Sequence, residues 1–249
     1  MDLTTLLLGA GGAFLFAGLV KGVAGIGMPT AAIALITLFE GPRVAIALVL
    51  LPMLASNAWQ MWRGGMIRRT VQRYWLFAVV LFAGVTATAF GTAGAGDRFL
   101  LAALGIVVLI FVAASVRRLI PPLPDRLDKP AQVGFGLFAG IIGGMTAAWG
   151  APLAMYLATR EVDKDEFIRA TGFLIVVGSV PLCVSYAQLG FLSGPLAGVS
   201  AAMILPTILG FSLGERLRRH LSPEGFRNAL LLVFAVLGVN LLRRAIWYA

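Results

Sequence analysis

Lys21 stands inside an apolar run, in the stretch FAGLVKGVAGIGMP that covers residues 16–29. An ammonium group among Gly18, Gly22, Gly25 and Gly27 offers one clear kind of chemistry, the holding of an anion. Charged side chains within membrane-length apolar segments mark ligand or ion pathways by default. The competing reading of Lys21 is a side chain that snorkels to the interface on its four-carbon stem. Glycines let a ligand approach the main chain closely. Pro29 is tolerated in the first turn of a helix and marks the start of a new half-helix. Such a start presents free N–H groups and the positive end of the helix dipole, and both favour an anion.

The arrangement returns in residues 138–152, FAGIIGGMTAAWGAP. There Gly143, Gly144 and Gly150 precede Pro152, and Trp149 either walls a site or fills volume. Matched interruptions in corresponding halves of a membrane chain point to a transporter's binding site. The competing account of glycine clusters is close helix packing. Gly105 and Gly238, by contrast, read as residues of ordinary spans. Ser56, Asn57 and Gln60 follow Pro52 on the next run, with Thr171 and Ser179 on its repeat partner. Asn57 and Gln60 are three apart and share a helix face, where they either line a cavity or bond between helices. The candidate substrate-binding set is therefore Lys21, Gly22, Gly25, Gly27, Pro29, Asn57, Gly143, Gly144, Trp149, Gly150 and Pro152.

Other chemistries lose support. The carboxylates, from Asp2 and Glu40 to Glu215 and Glu224, all sit at run ends or in loops, so no mid-span acid serves as a proton relay. The one histidine, His220, falls in a basic loop. Coupling then rests on the substrate's own protonation or on the membrane potential. No Walker loop, metal-ligand cluster or nucleophile–base pair is found. ATP-driven pumping, enzymatic activity, a cofactor and a metal are not expected. The single cysteine, Cys183, excludes an internal disulfide and reads as an inert core residue.

The elements that must position these residues are membrane helices. The chain is 59% hydrophobic and 12% charged, with mean hydropathy +0.93. Apolar runs at 44–62, 74–92, 99–116, 170–187, 194–213 and 226–242 are long enough to cross about 30 Å of hydrocarbon as helices. They lack the alternation of barrel strands. The N-terminal run carries Asp2 where a leader needs positive charge, so it reads as structure. A net charge of +9 does not imply nucleic acid, because the arginines cluster at run ends, where they encode orientation.

Counting those charges selects a topology. If each broken segment (3–39 and 131–158) crosses once, the basic residues divide almost evenly between the two sides. If each is a hairpin that enters and leaves on one side, the division is lopsided. One side then holds Arg63, Arg68, Arg69, Arg73, Arg117, Arg118, Arg126, Lys129, Arg160, Lys164, Arg169, Arg216, Arg218, Arg219 and Arg227. The other holds only Arg43, Arg98, Arg243 and Arg244. Positive charge belongs inside, so hairpins are expected. Each half is then a hairpin plus three spans. The second half is inverted relative to the first, and both termini face outward. The expected organisation is an all-α polytopic membrane protein with a first repeat at 1–118, a cytoplasmic linker at 119–130 and a second repeat at 131–249. The sequence leaves open whether the hairpins are re-entrant or two short crossings.

The breaks FAGLVKGVAGIGMP and GGMTAAWGAP, with the late segment ILPTILGFSLGERLRRHLSPEGFRNALLLVFAVLG, resemble the TauE/SafE sulfite exporter family, also called the TSUP permeases. That family carries a G-x-x-x-G-x-G-G-G stretch in each half and a G-x-x-x-G-x-x-L segment before the last span. The resemblance runs from Leu6 to Leu242. Departures are Met28, Ala148 and Trp149, where glycine is more usual, and Lys21 within the break. The resemblance implies a secondary transporter that moves sulfite or an organosulfonate such as sulfoacetate across the bacterial inner membrane, mostly outward. Its partners would be the small anion and the bilayer. A passive anion channel, an uptake permease for another anion and a membrane scaffold are the alternatives.

Overall fold

The computed structural model describes residues 3–117, 122–217 and 223–247. These form eleven α-helices and one 3₁₀ turn, with no strand among the described residues. The first half holds α1 (Leu3–Ala24), α2 (Met28–Ile36), α3 (Pro42–Gly64), α4 (Ile67–Gly91) and α5 (Asp97–Arg117). After the 3₁₀ turn Asp125–Leu127 come α6 (Asp128–Thr146), α7 (Gly150–Thr159), α8 (Lys164–Gln188), α9 (Gly194–Ala202), α10 (Ile204–Leu217) and α11 (Pro223–Trp247). Five segments among the described residues are long and apolar enough to cross a membrane: Leu6–Ala24, Pro42–Gly64, Ile67–Gly91, Lys164–Gln188 and Gly194–Leu217. The chain is a helical membrane protein.

Both breaks fall where the glycines and prolines stand. Gly25 and Gly27 adopt φ of 81° and 97°, a left-handed backbone that costs other L-residues roughly 1–2 kcal/mol. Pro29 then sits in the first turn of α2, where no intrahelical N–H is required. The second break uses no glycine for its turn: Ala147 takes φ 55°. Beside it, the Ala148 N–H donates to Thr146 Oγ1 at 3.2 Å.

Each broken segment folds back on itself. The Phe39 ring, just past α2, lies against Gly9 near the start of α1; a Cβ on Gly9 would meet it at 3.3 Å. In the second segment the Tyr156 hydroxyl donates to Asp128 Oδ1 at 2.8 Å, and the Leu123 N–H donates to the Thr159 carbonyl at 3.0 Å. The arms are unequal. With 22 residues, α1 is about 33 Å long and could cross alone, whereas α2 has only 9 residues.

Prolines shape the remaining spans. Pro52, inside α3, leaves the Leu48 carbonyl without its helical donor. The Ser200 hydroxyl of α9 takes it at 2.9 Å. The run expected as one span at 194–213 is two helices broken at Met203. Pro206 explains the break: it has no N–H for the Ala202 carbonyl, and its ring clashes there.

Small residues hold the bundle together, the usual device where lipid supplies no hydrophobic drive. Gly18 and Gly22 of α1 interlock with Gly210 and Gly214 of α10, and a Cβ on Gly214 would lie 2.9 Å from Gly22 Cα. In α6, Gly136, Gly140 and Gly144 face α4, and a Cβ on Gly140 would lie 2.9 Å from Gly84 Cα. Gly105 and Gly238, read above as ordinary, join α5 to α11. A Cβ at either would meet Leu242 or Leu109 at 2.9 Å.

The charges gather at two ends. At one, Arg63 pairs with Glu215 at 2.8 Å and Arg73 with Glu166 at 2.7 Å, while Arg160 pairs with Asp125. The Asp125 carboxylate holds the Arg160 guanidinium above its ordinary pKa. At the other end Arg43 donates to the Ala93 carbonyl at 2.8 Å and lies 4.5 Å from the Phe191 ring centroid. Trp59, Trp62, Trp75 and Trp247 are exposed, as residues anchored at a lipid interface should be. Arg118, Arg218 and Arg219, counted for orientation, lie outside the described residues.

Candidate functional site

Two cavities adjoin the breaks. The larger, about 160 Å³, is lined by Lys21, Gly22 and Gly25 from the first hairpin. Gln60, Arg63 and Gly64 of α3 complete it with Ile168 of α8 and Phe211 and Glu215 of α10. The tight α1–α10 crossing at Gly22 presses the Lys21 segment against Phe211 and Glu215.

Lys21 is 1% exposed, so it does not reach out to an interface. Its ammonium donates to Ser56 Oγ at 3.0 Å and lies 5.6 Å from the Phe211 ring centroid. A cation over an aromatic face gains about 0.5–2 kcal/mol, well short of the cost of taking an ammonium from water. Among the described residues no carboxylate comes within ion-pair distance of it. Glu215, on the same cavity, is engaged by Arg63.

Gln60 is held rigidly. Its Nε2 donates to the Ile168 carbonyl at 2.8 Å and to Thr171 Oγ1 at 3.2 Å. Its Oε1 is buried without a partner among the described residues. Asn57 donates to the Met53 carbonyl at 2.7 Å and does not line this cavity, although its Oδ1 also has no partner among the described residues. Thr171 serves the α3–α8 contact, and Ser179 bonds back to Ile175 of its own helix.

The smaller cavity, about 10 Å³, is the meeting point of the two breaks. Gly27 and Thr30 face Ala148, Gly150 and Ala151 across it, between Val107 and Val108 of α5 and Phe234 of α11. It has room for about one water. The first turns of α2 and α7 are thus brought together. Pro29 and Pro152 are buried beside it without forming its wall. Gly143 and Gly144 line neither cavity. Gly144 abuts Val85 and Thr88 of α4, and Gly143 lies under the Trp149 ring. That indole also reaches Gly178 of α8, and its Nε1 is buried without a partner among the described residues.

Arg63 and Glu215 were legible only as loop charges. The signal that places them is helical spacing: Ser56, Gln60 and Arg63 follow i, i+4, i+7, and Phe211 and Glu215 are four apart, which puts each set on one face.

Irregular main chain at membrane depth is stable only inside protein or beside a cavity, and its pairing in two halves of a helical bundle is the architecture of membrane permeases. A permease is the class this chain falls in. More narrowly, it belongs to the TauE/SafE sulfite exporter family, whose model matches residues 10–241. No curated protein and no solved structure matches the chain.

Proposed function

We propose that the protein is a secondary transporter that carries a small sulfur-containing anion, sulfite or an organosulfonate such as sulfoacetate, outward across the bacterial inner membrane. The observation that carries this reading is Lys21, a buried ammonium with no counter-ion among the described residues, facing a cavity beside a break in the main chain. An oxyanion supplies the missing charge, and charge-assisted hydrogen bonds to it are the strong ones. Gly25 opens the main chain to it, Gly22 lines the cavity while packed against α10, and Gly27 and Gly150 flank the constriction beyond. Pro29 and Pro152 start the half-helices beside it, while Asn57, Gly143, Gly144 and Trp149 pack behind these elements and line neither cavity. The constriction between the breaks supports a carrier over a passive channel, which needs a continuous hydrated path. Transport rather than catalysis is the reading, in keeping with the family.

Alternating access follows from an inverted repeat, and the packing pattern supports one. The arm α1 meets α10 as α6 meets α4, while α3 meets α8 and α5 meets α11. Exchanging the halves leaves this pattern unchanged, as a two-fold axis requires. Both termini then face the periplasm, and the ends bearing Arg68, Arg126 and Lys164 face the cytoplasm. Single cysteines placed at these sites in a Cys183→Ser background, treated with an impermeant thiol reagent on intact cells, are expected to react only at the termini. A protected C-terminus would overturn the inverted arrangement.

The substrate is tested by thermal stability of the purified protein against sulfite, sulfate, thiosulfate, sulfoacetate, taurine and carboxylate analogues. A ligand of the folded state raises its stability by about 2.7 kcal/mol at a hundred times Kd. Sulfite or a sulfonate is expected to give the largest rise. A rise confined to carboxylates would replace the sulfur anion with another.

A further inference from the structure

We infer that the anion held at Lys21 carries a hydrogen-bond donor of its own, a hydroxyl, a protonated oxygen or an amine, which is received by Gln60 Oε1. This rests on the anion-site reading above and narrows it to a substrate class.

The cavity wall is chemically divided. Lys21 supplies a cation, held among the described residues only by a neutral hydroxyl and a ring. Gln60, 3% exposed, lines the same space, and its buried Oε1 has no donor among the described residues. Its orientation is set by chemistry. The Ile168 carbonyl, 2.8 Å from Gln60 Nε2, can only accept, and the Thr171 hydroxyl, bonded to the Phe167 carbonyl at 2.7 Å, is free to accept as well. Turning the amide over would set oxygen against the Ile168 carbonyl, so Nε2 must face it and Oε1 must face away. A buried acceptor left without a donor carries a desolvation cost that binding of a donor removes. A wholly deprotonated anion with only acceptors satisfies Lys21 and leaves Gln60 unmet. An anion that also bears O–H or N–H satisfies both. Sites built around such a group discriminate strongly against analogues that lack it.

Isothermal titration of the purified full-length protein with ethanesulfonate and 2-hydroxyethanesulfonate tests this, since the pair differ by one hydroxyl. The hydroxylated probe is expected to bind about tenfold more tightly. In Gln60→Met the advantage should vanish. Equal affinity of the two probes for the parent protein would overturn the donor requirement and leave the anion site standing. An advantage that survives in Gln60→Met would overturn the role of Gln60. If neither sulfonate binds the folded parent protein, the donor inference and the anion site fall together. The comparison on the parent protein decides the question even if Gln60→Met does not fold.

Discussion

Lys21→Met is expected to weaken anion binding about ten- to hundredfold while leaving the unliganded protein as stable as the parent, or more so. A hydrogen bond to a charged group is worth about 1.5–3 kcal/mol, which corresponds to that range of affinity. The stability side of the expectation is the more telling one. A buried ammonium with no carboxylate partner among the described residues is a burden on the fold, and replacing it with an apolar side chain of similar length removes the burden. A residue that served structure alone would show the reverse, lost stability with affinity unchanged. Lys21→Arg should recover part of the affinity, because the charge is kept and the shape is not. Doubly charged anions should lose more than singly charged ones. Titration calorimetry and thermal melts on the same samples separate these outcomes.

Gly22→Leu and Gly210→Leu are each expected to abolish folded protein in detergent extracts. At both positions a Cβ falls inside the backbone of the facing helix, against the Phe211 carbonyl for Gly22 and the Leu15 carbonyl for Gly210. Backbone cannot move aside as a side chain can, so the effect should exceed the roughly 1–3 kcal/mol typical of overpacking. Gly12 and Gly134, with nothing within 4 Å of an added Cβ, are the matched controls and should tolerate leucine. Gly25 falls between these cases. Its nearest neighbours, Ile168 and Phe167, leave room at 3.8 Å, so the penalty there comes from backbone handedness. Size-exclusion profiles of the variants in detergent measure all three classes. A monodisperse Gly22→Leu protein would show that α1 and α10 are not held in backbone contact.

These contrasts mark where the sequence was readable. The breaks announced themselves because left-handed turns and half-helix starts demand glycine and proline, so 25–27 and Pro29 were visible in the letters. The burial of Lys21 was not visible, because a four-carbon stem can reach either a cavity or an interface and only neighbouring helices decide. Gly143 and Gly144 looked identical to break glycines. Their position under Trp149 and against α4 is a tertiary fact. The second turn itself rests on Ala147, a residue that gives no turn signal. The interruption at Met203 was encoded by Pro206, yet an apolar run masks a proline kink because hydropathy is indifferent to a missing N–H. Gln60 could be placed on a helix face, but which atoms of its amide remained unpartnered depended on Ile168 and Thr171, more than a hundred residues away in the chain.

Transport of isotopically labelled sulfite or sulfoacetate into liposomes that contain only the purified protein addresses the central claim most directly. Parent protein is expected to carry the anion at a saturable rate, and Lys21→Met in equal, folded amount is expected to lose at least about nine-tenths of that rate at subsaturating substrate, in step with its affinity. Flux by Lys21→Met equal to that of the parent, or no flux by the folded parent for any sulfur anion, would contradict it.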